Sequence, residues 1–152
     1  MSDTVLDIEA LRKQFLGQES PPTTMEVERG HIRAFADAID DPNLLWRDEA
    51  QARQTRFGGV VSPPTFLRAL RTERLEQLPP ELSLNRLLDG GSEWEYFDAV
   101  KPGDRITAVN RITDLYTRTG SLGAMVFVVT ETTYTNHLDQ LVATQKNTSI
   151  RY

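Results

Sequence analysis

Proton-transfer chemistry near neutral pH has few carriers in this 152-residue chain, which holds two histidines, His31 and His137, and no cysteine. The lack of cysteine removes a thiolate nucleophile, a disulfide scaffold, an iron–sulfur cluster and any Cys-based zinc site. Two histidines do not make a multi-histidine metal centre, so no metal is expected. The carboxylate best placed for chemistry is Asp41, in the run Asp41-Pro42-Asn43-Leu44-Leu45-Trp46-Arg47-Asp48. An aspartate there can serve as a general base if a second group returns the proton. Asp-Pro-Asn behind a helix is also an ordinary turn, and on the residues alone the turn is the weightier account. His31 falls at a helix start facing solvent, and His137 falls in a hairpin turn beside Asn136 and Asp139. Arg68, Arg71 and Arg74, three residues apart, give a cationic side that suits phosphate groups. Glu73 and Glu76 interleave with them, which fits a solvated face or a subunit contact equally well.

The elements that must position these residues follow from periodicity. Val5, Ile8, Leu11, Phe15 and Leu16 predict a helix over 5–16, capped by Thr4 and stopped at Gly17. After Ser20-Pro21-Pro22 comes a short extended piece, 23–28. A second amphipathic helix is predicted over 30–39, with Ile32, Phe35, Ala36 and Ile39 on one stripe. A short polar helix follows with Asp48 as its cap and Gln51 three residues on. Ser62-Pro63-Pro64 reads as the start of a longer helix, with prolines in the first turn where a missing N–H costs little. Its apolar positions are Phe66, Leu67, Leu70, Leu75 and Leu78, and Pro79-Pro80 ends it. Beyond Gly90-Gly91 the residues 92–100, 105–116, 124–135 and 141–151 are rich in Thr, Val, Ile, Tyr and Phe, and read as strands joined by tight turns.

Helices first and an antiparallel sheet second define an α+β layout, with the sheet expected to wrap the apolar helix that starts at Ser62. Met125, Phe127 and Val129 fall on one face of a strand and Val126 and Val128 on the other. A strand apolar on both faces asks for cover on both, from a second layer or a partner chain. The length suits one domain, burying roughly 70% of the surface of the unfolded chain. A net charge of -5 gives no electrostatic footprint for nucleic acid or an anionic membrane. No stretch reaches the roughly 18 apolar residues that span a bilayer. No basic-then-apolar leader opens the chain, so the expected location is the cytoplasm.

The run from Asp41 to Asp48, preceded by Ile32-Arg33-Ala34-Phe35-Ala36, resembles the hydratase motif of the MaoC-like dehydratases, which include the R-specific enoyl-CoA hydratases. Gly58-Gly59-Val60-Val61-Ser62-Pro63-Pro64-Thr65-Phe66 is similar to the same family's entry to its central helix. Trp94-Glu95-Tyr96-Phe97 with Val100-Lys101-Pro102-Gly103-Asp104 resembles its first sheet hairpin, and 128–135 with 141–151 its last two strands. The likeness covers about 23–152. Residues 1–22 form an N-terminal helix and linker before it, packing on the domain or a neighbour.

The resemblance implies a hot-dog fold, an antiparallel sheet wrapped around a central helix, and pairing of two such units. It implies water addition to a trans-enoyl thioester, or the reverse, by an aspartate and a histidine acting through water. A backbone N–H at the central helix start would polarise the thioester carbonyl. No cofactor is implied beyond the coenzyme A thioester that is the substrate.

Carried over by position, Asp41 and Asn43 fall on the motif's aspartate and asparagine, but Trp46 falls on its histidine. An indole N–H only donates and cannot cycle a proton. Pro64 aligns with the glycine whose N–H polarises the carbonyl, and proline has no N–H; Thr65 N–H serves only if the register shifts by one. The chain therefore resembles the fatty-acid-synthase-like, non-catalytic half of a heteromeric MaoC-like hydratase. The expectation is that its partner is a catalytic hot-dog subunit and that this chain shapes the acyl pocket, with Trp46, Thr65 and Phe66 as substrate-binding candidates. Two alternatives stand beside it: a homodimeric hydratase using Asp41, and a non-catalytic acyl-CoA-binding hot-dog.

Overall fold

The computed structural model describes residues 6–75 and 77–152; Thr4, Val5 and Glu76 lie outside the described residues. Asp7 caps the first helix, its carboxylate accepting from Ala10 N–H at 3.0 Å. Helix α1 then runs Ile8–Phe15, and the chain leaves it through Gly17 at φ 82°. Strand β1 (Thr23–Glu26) and helix α2 (Arg29–Ala38) follow. Next come a 3-10 turn at Leu44–Trp46 and the short helix α3 (Glu49–Arg53). Asp48 caps α3 as its position predicts, accepting from Gln51 N–H at 3.0 Å.

The second half is a sheet of long strands: β2 (Leu87–Tyr96), β3 (Arg105–Gly120), β4 (Gly123–Thr135) and β5 (Leu141–Arg151). With β1 they form five antiparallel strands in the order β1-β3-β4-β5-β2. The architecture is α+β, as expected. Strand β2 starts earlier than the pattern suggests, because Gly90-Gly91 lie inside it and do not precede it. They form a bulge where the register against β5 shifts between Asp89 and Ser92. A Cβ on Gly90 would stand 2.9 Å from Thr148 O, and Gly91 has φ 110°, so both positions require glycine.

One expectation is corrected. The long helix over 62–78 is not what forms: a 3-10 segment spans Pro64–Ala69, and the described residues 70–75 and 77–79 are not helical. Ser62 is no cap: Pro63 takes that position with no side-chain cap hydrogen bond, and Ser62 N–H donates to Val100 O at 2.8 Å. The inner face of the sheet explains the change. It carries two apolar clusters: Phe66, Leu67 and Leu70 pack with Ile32, Ile106 and Tyr134 in one. Leu75, Leu78, Leu82 and Leu84 pack onto the other, formed by Leu11, Phe15, Ile112, Leu115, Val126 and Val128. Eight residues span about 12 Å as helix but roughly 25 Å extended. Unwinding lets one leucine-rich segment serve both clusters, whereas a helix would set Arg71 and Arg74 on the stripe of Leu67, Leu70 and Leu78.

Helix α1 belongs to the second cluster and is tied to it by charge. Arg12 Nη1 donates to Asp114 Oδ1 at 2.7 Å and to Leu115 O. That guanidinium, with the Leu115 N–H, holds the Asp114 carboxyl below the usual range. Phe15 is 3% exposed under the sheet. Phe15→Ala should lower the unfolding free energy by about 3 kcal/mol in urea titration; a loss under about 1 kcal/mol would mean that α1 is not part of the core.

Candidate functional site

The candidate motif residues separate into two environments. Asp41 closes a turn. Its Oδ1 accepts from Asn43 N–H at 3.0 Å, and its carbonyl accepts from Arg47 Nε and Nη2 at 3.0 and 2.7 Å. Asn43 is exposed and caps the 3-10 turn, accepting from Leu45 N–H at 3.0 Å. Arg47 also pairs with Asp37, so the whole Asp41–Arg47 loop is braced onto α2. The turn reading of Asp41-Pro42-Asn43 is what the geometry supports.

Trp46 and Pro64 meet elsewhere. Both line a mostly apolar pocket of about 440 Å³, with Leu45, Phe57, Val61 and Phe97 among its walls. Val60, next in the chain to the wall residue Val61, is held by Glu49, whose carboxylate accepts from Val60 N–H, Arg29 and Arg53. The Val60 N–H first, and then the two arginines, hold that carboxyl below its ordinary range. Trp46 Nε1 is buried and finds no acceptor among the described residues. Neither Asp41 nor either histidine lines this pocket. Of the other candidates, Thr65 is exposed, and Phe66 is 1% exposed in the core, edge-on to Phe35 at 5.6 Å between centroids.

His31 lies beside Glu28 on the surface, with Nε2 at 3.6 Å from its Oε2. His137 occupies the β4–β5 turn, where Nδ1 accepts from Arg105 N–H at 3.5 Å. They share no site. Among the described residues no three His, Asp or Glu side chains cluster as metal ligands.

The shortened 3-10 segment leaves a groove of about 740 Å³ over the inner face of the sheet. Arg68, Arg71 and Arg74 line one wall, so the three arginines do come together, on an irregular segment and not along a helix. The floor is a polar belt between the two apolar clusters, and sequence reasoning did not single it out. Cross-strand register sets Asn110 opposite Thr132, Thr132 opposite Gln145, Thr130 opposite Asn147, and Ser92 opposite Asn147. The signal was present in β4, where Thr130 and Thr132 occupy the inward parity between Val128 and Tyr134.

Within the belt Tyr134 Oη–H donates to Gln145 Oε1 at 3.3 Å, and Gln145 Nε2 donates to Ser92 Oγ at 3.1 Å. Ser92 Oγ–H in turn donates to Asn147 Oδ1 at 2.7 Å. On the neighbouring row Thr132 Oγ1–H donates to Asn110 Oδ1 at 3.1 Å.

Comparison with other proteins gives these features a setting. Residues 14–145 match the FAS1-like, dehydratase domain region. A UPF0336 protein of Thermobifida fusca is 38% identical over 117 residues, 74% of this chain and 77% of that one. In fold, the chain is similar to the ChsH1-ChsH2 complex from Mycobacterium tuberculosis, with a TM-score of 0.81, 20% identity, and 96% and 91% of the two chains covered. It is similar also to a MaoC-like dehydratase from Rhodospirillum rubrum, with a TM-score of 0.69, 19% identity, and 93% and 95% covered.

Burial pushes the Tyr134 hydroxyl up to about 12, against the pull of Arg68. An unfolded tyrosine ionises near 10, so the folded state keeps this proton longer. Its contribution to stability is complete below about pH 10 and is lost as the pH rises through about 12. Between pH 9 and 11 the wild-type chain should lose about 1 kcal/mol more stability than Tyr134→Phe. Equal losses in the two proteins would show that the hydroxyl is not buried.

Proposed function

Because the chain belongs to the FAS1-like dehydratase-region family and has the MaoC-like hot-dog fold, we propose that it is the non-catalytic half of a heteromeric enoyl-thioester hydratase or 3-hydroxyacyl-thioester dehydratase. The single observation that carries this reading is the pairing of Trp46 with Pro64 in one pocket. These are the positions where the hydratase motif calls for its histidine and its carbonyl-polarising N–H. An indole returns no proton and a proline donates no hydrogen bond. Asp41, the remaining member of the motif, has its carboxylate drawn into a turn. The proton-transfer pair and the oxyanion donor then come from the partner chain. There the water oxygen adds to C3 of the enoyl group while C2 takes up a proton.

The division of labour gives this chain a shape to supply. The helix that would fill the concave face is cut to Pro64–Ala69, and the space left is long enough for an acyl chain. The open edge of the sheet is β2, almost wholly exposed, with Leu87, Leu88, Tyr96 and Phe97 uncovered on it and just beyond it. Natural proteins cover or charge such edges, and a second hot-dog chain set alongside β2 would cover this one. The similar ChsH1-ChsH2 structure is a complex of two differently named chains, which supports a hetero-oligomer.

Three results test the reading. The chain isolated gently from its host should bring an equimolar MaoC-like chain that retains both aspartate and histidine. The pure chain should not hydrate a 2-enoyl-CoA, and Trp46→His should not confer activity. In the reconstituted pair, Asp41→Asn should change kcat/KM less than twofold. Hydration by the pure chain, abolished by Asp41→Asn, would replace this reading with a homodimeric enzyme. Stable binding of acyl-CoA with neither partner nor turnover would replace it with a binding protein.

A further inference from the structure

We propose that the groove over the polar belt binds an acyl group bearing an oxygen acceptor, a carbonyl or hydroxyl along its length, and discriminates against a plain alkyl chain. The inference rests on the hydratase-subunit reading for the thioester itself, and on the belt for the rest of the ligand.

The direction of the hydrogen bonds decides what the groove asks for. The relay begins at the Tyr134 hydroxyl, which donates to Gln145 Oε1, and passes through Gln145 Nε2 and Ser92 Oγ to Asn147 Oδ1. Each acceptor along it receives a bond from the group before it. What remains at its end is the Asn147 amide nitrogen, a donor with two hydrogens. The second row ends the same way. Thr132 donates to Asn110 Oδ1, so the Asn110 amide nitrogen is the end that faces onward. Both asparagines line the groove and are half-exposed, open to a ligand. The wall opposite carries Arg68 and Arg71, which can only donate. Glu73 and Asp89 also line the groove. The Asp89 carboxylate turns back to its own strand, accepting from Gly91 N–H at 2.9 Å.

A site whose asparagine amides and arginines offer donors from floor and wall, with Glu73 the one carboxylate beside them not turned back to its own strand, favours ligands that accept. An alkyl chain laid over the belt would expel water from these amides and return nothing, whereas a site built to hydrogen-bond a substrate group rejects the analogue that lacks it. The apolar clusters on either side of the belt provide for the hydrocarbon portions of the same ligand. The oxygen is therefore expected within the chain and not at its end.

The test uses two trans-2-enoyl-CoA esters of equal length, one with a saturated tail and one with a mid-chain ketone or hydroxyl scanned along successive carbons. In the complex as purified, at least one oxygenated ester should show a kcat/KM roughly tenfold or more above the plain ester. Asn147→Asp, which replaces the donor by an acceptor of the same shape, should erase that preference. Asn147→Leu should reverse it. Calorimetric binding of the same esters to the purified protein reads the belt without turnover: tighter binding of an oxygenated ester supports the inference even if no hydration occurs. Equal or tighter binding of the plain ester, unaffected by Asn147→Asp, would overturn it. Absence of hydration with every ester, alongside discriminating binding, would instead count against the hydratase reading alone.

Discussion

The structure turns on how the inner face of one antiparallel sheet is covered. That face is apolar at both ends and polar in the middle. A continuous amphipathic helix cannot satisfy such a surface, because its stripe would set Leu67, Leu70 and Leu78 in line with Arg71 and Arg74. The chain resolves the mismatch by ending the 3-10 segment at Ala69 and sending Leu70 to one apolar cluster and Leu75 and Leu78 to the other. The consequences are connected. Leucines anchor both ends of the segment, arginines hang over the belt between them, and an open groove remains where a hot-dog helix would have been solid core. Loss of regular structure here is the same event as creation of the cavity.

The fold tolerates that loss because its cohesion lies elsewhere. Strands β3, β4 and β5 pair over most of their length, and α1 seals one end with Leu11, Phe15 and the Arg12–Asp114 contact. At the other end the Asp41–Arg47 loop is braced by hydrogen bonds that require aspartate and asparagine for their turn-forming carboxyl and amide groups, with no need of acid–base function. A hydratase motif can thus keep Asp41 and Asn43 for local geometry after its histidine has gone. Persistence of two motif residues is not evidence of persisting chemistry. The substituted position carries the information, since tryptophan in place of histidine replaces a proton carrier with apolar volume.

Most of the fold was legible in the sequence because its signals are local. The Asp48 cap, the apolar stripe of α2 and the threonine- and valine-rich strands each follow from spacing within a dozen residues. Trp46 and Pro64 stand out for the same reason, as residues that depart from a motif read within a few positions, and the structure places both on one pocket. What was not legible depends on partners distant in the chain. The segment after Ala69 has good helix-forming residues, and the two clusters that part its leucines are assembled from α1, α2, β3, β4 and β5. Gly90-Gly91 looks like a connector until Thr148 is placed opposite it. The polar belt escaped notice because Asn110, Thr132, Gln145 and Ser92 come from four strands. Each alone is an unremarkable polar residue in a strand.

The two unusual polar features of the molecule point in one direction when taken together. Trp46 presents a buried indole N–H with no acceptor among the described residues, and the belt ends in half-exposed amide donors. Leaving the buried indole donor unmatched costs about 1–3 kcal/mol, and such groups are uncommon in folded proteins. On the proposed reading, a chain whose belt ends in amide donors, and whose Trp46–Pro64 pocket is lined by neither Asp41 nor a histidine, is suited to hold an oxygen-bearing molecule while a partner supplies the reactivity. What that reading asks of this chain is complementarity of surface, which Trp46 and Pro64 provide as apolar wall.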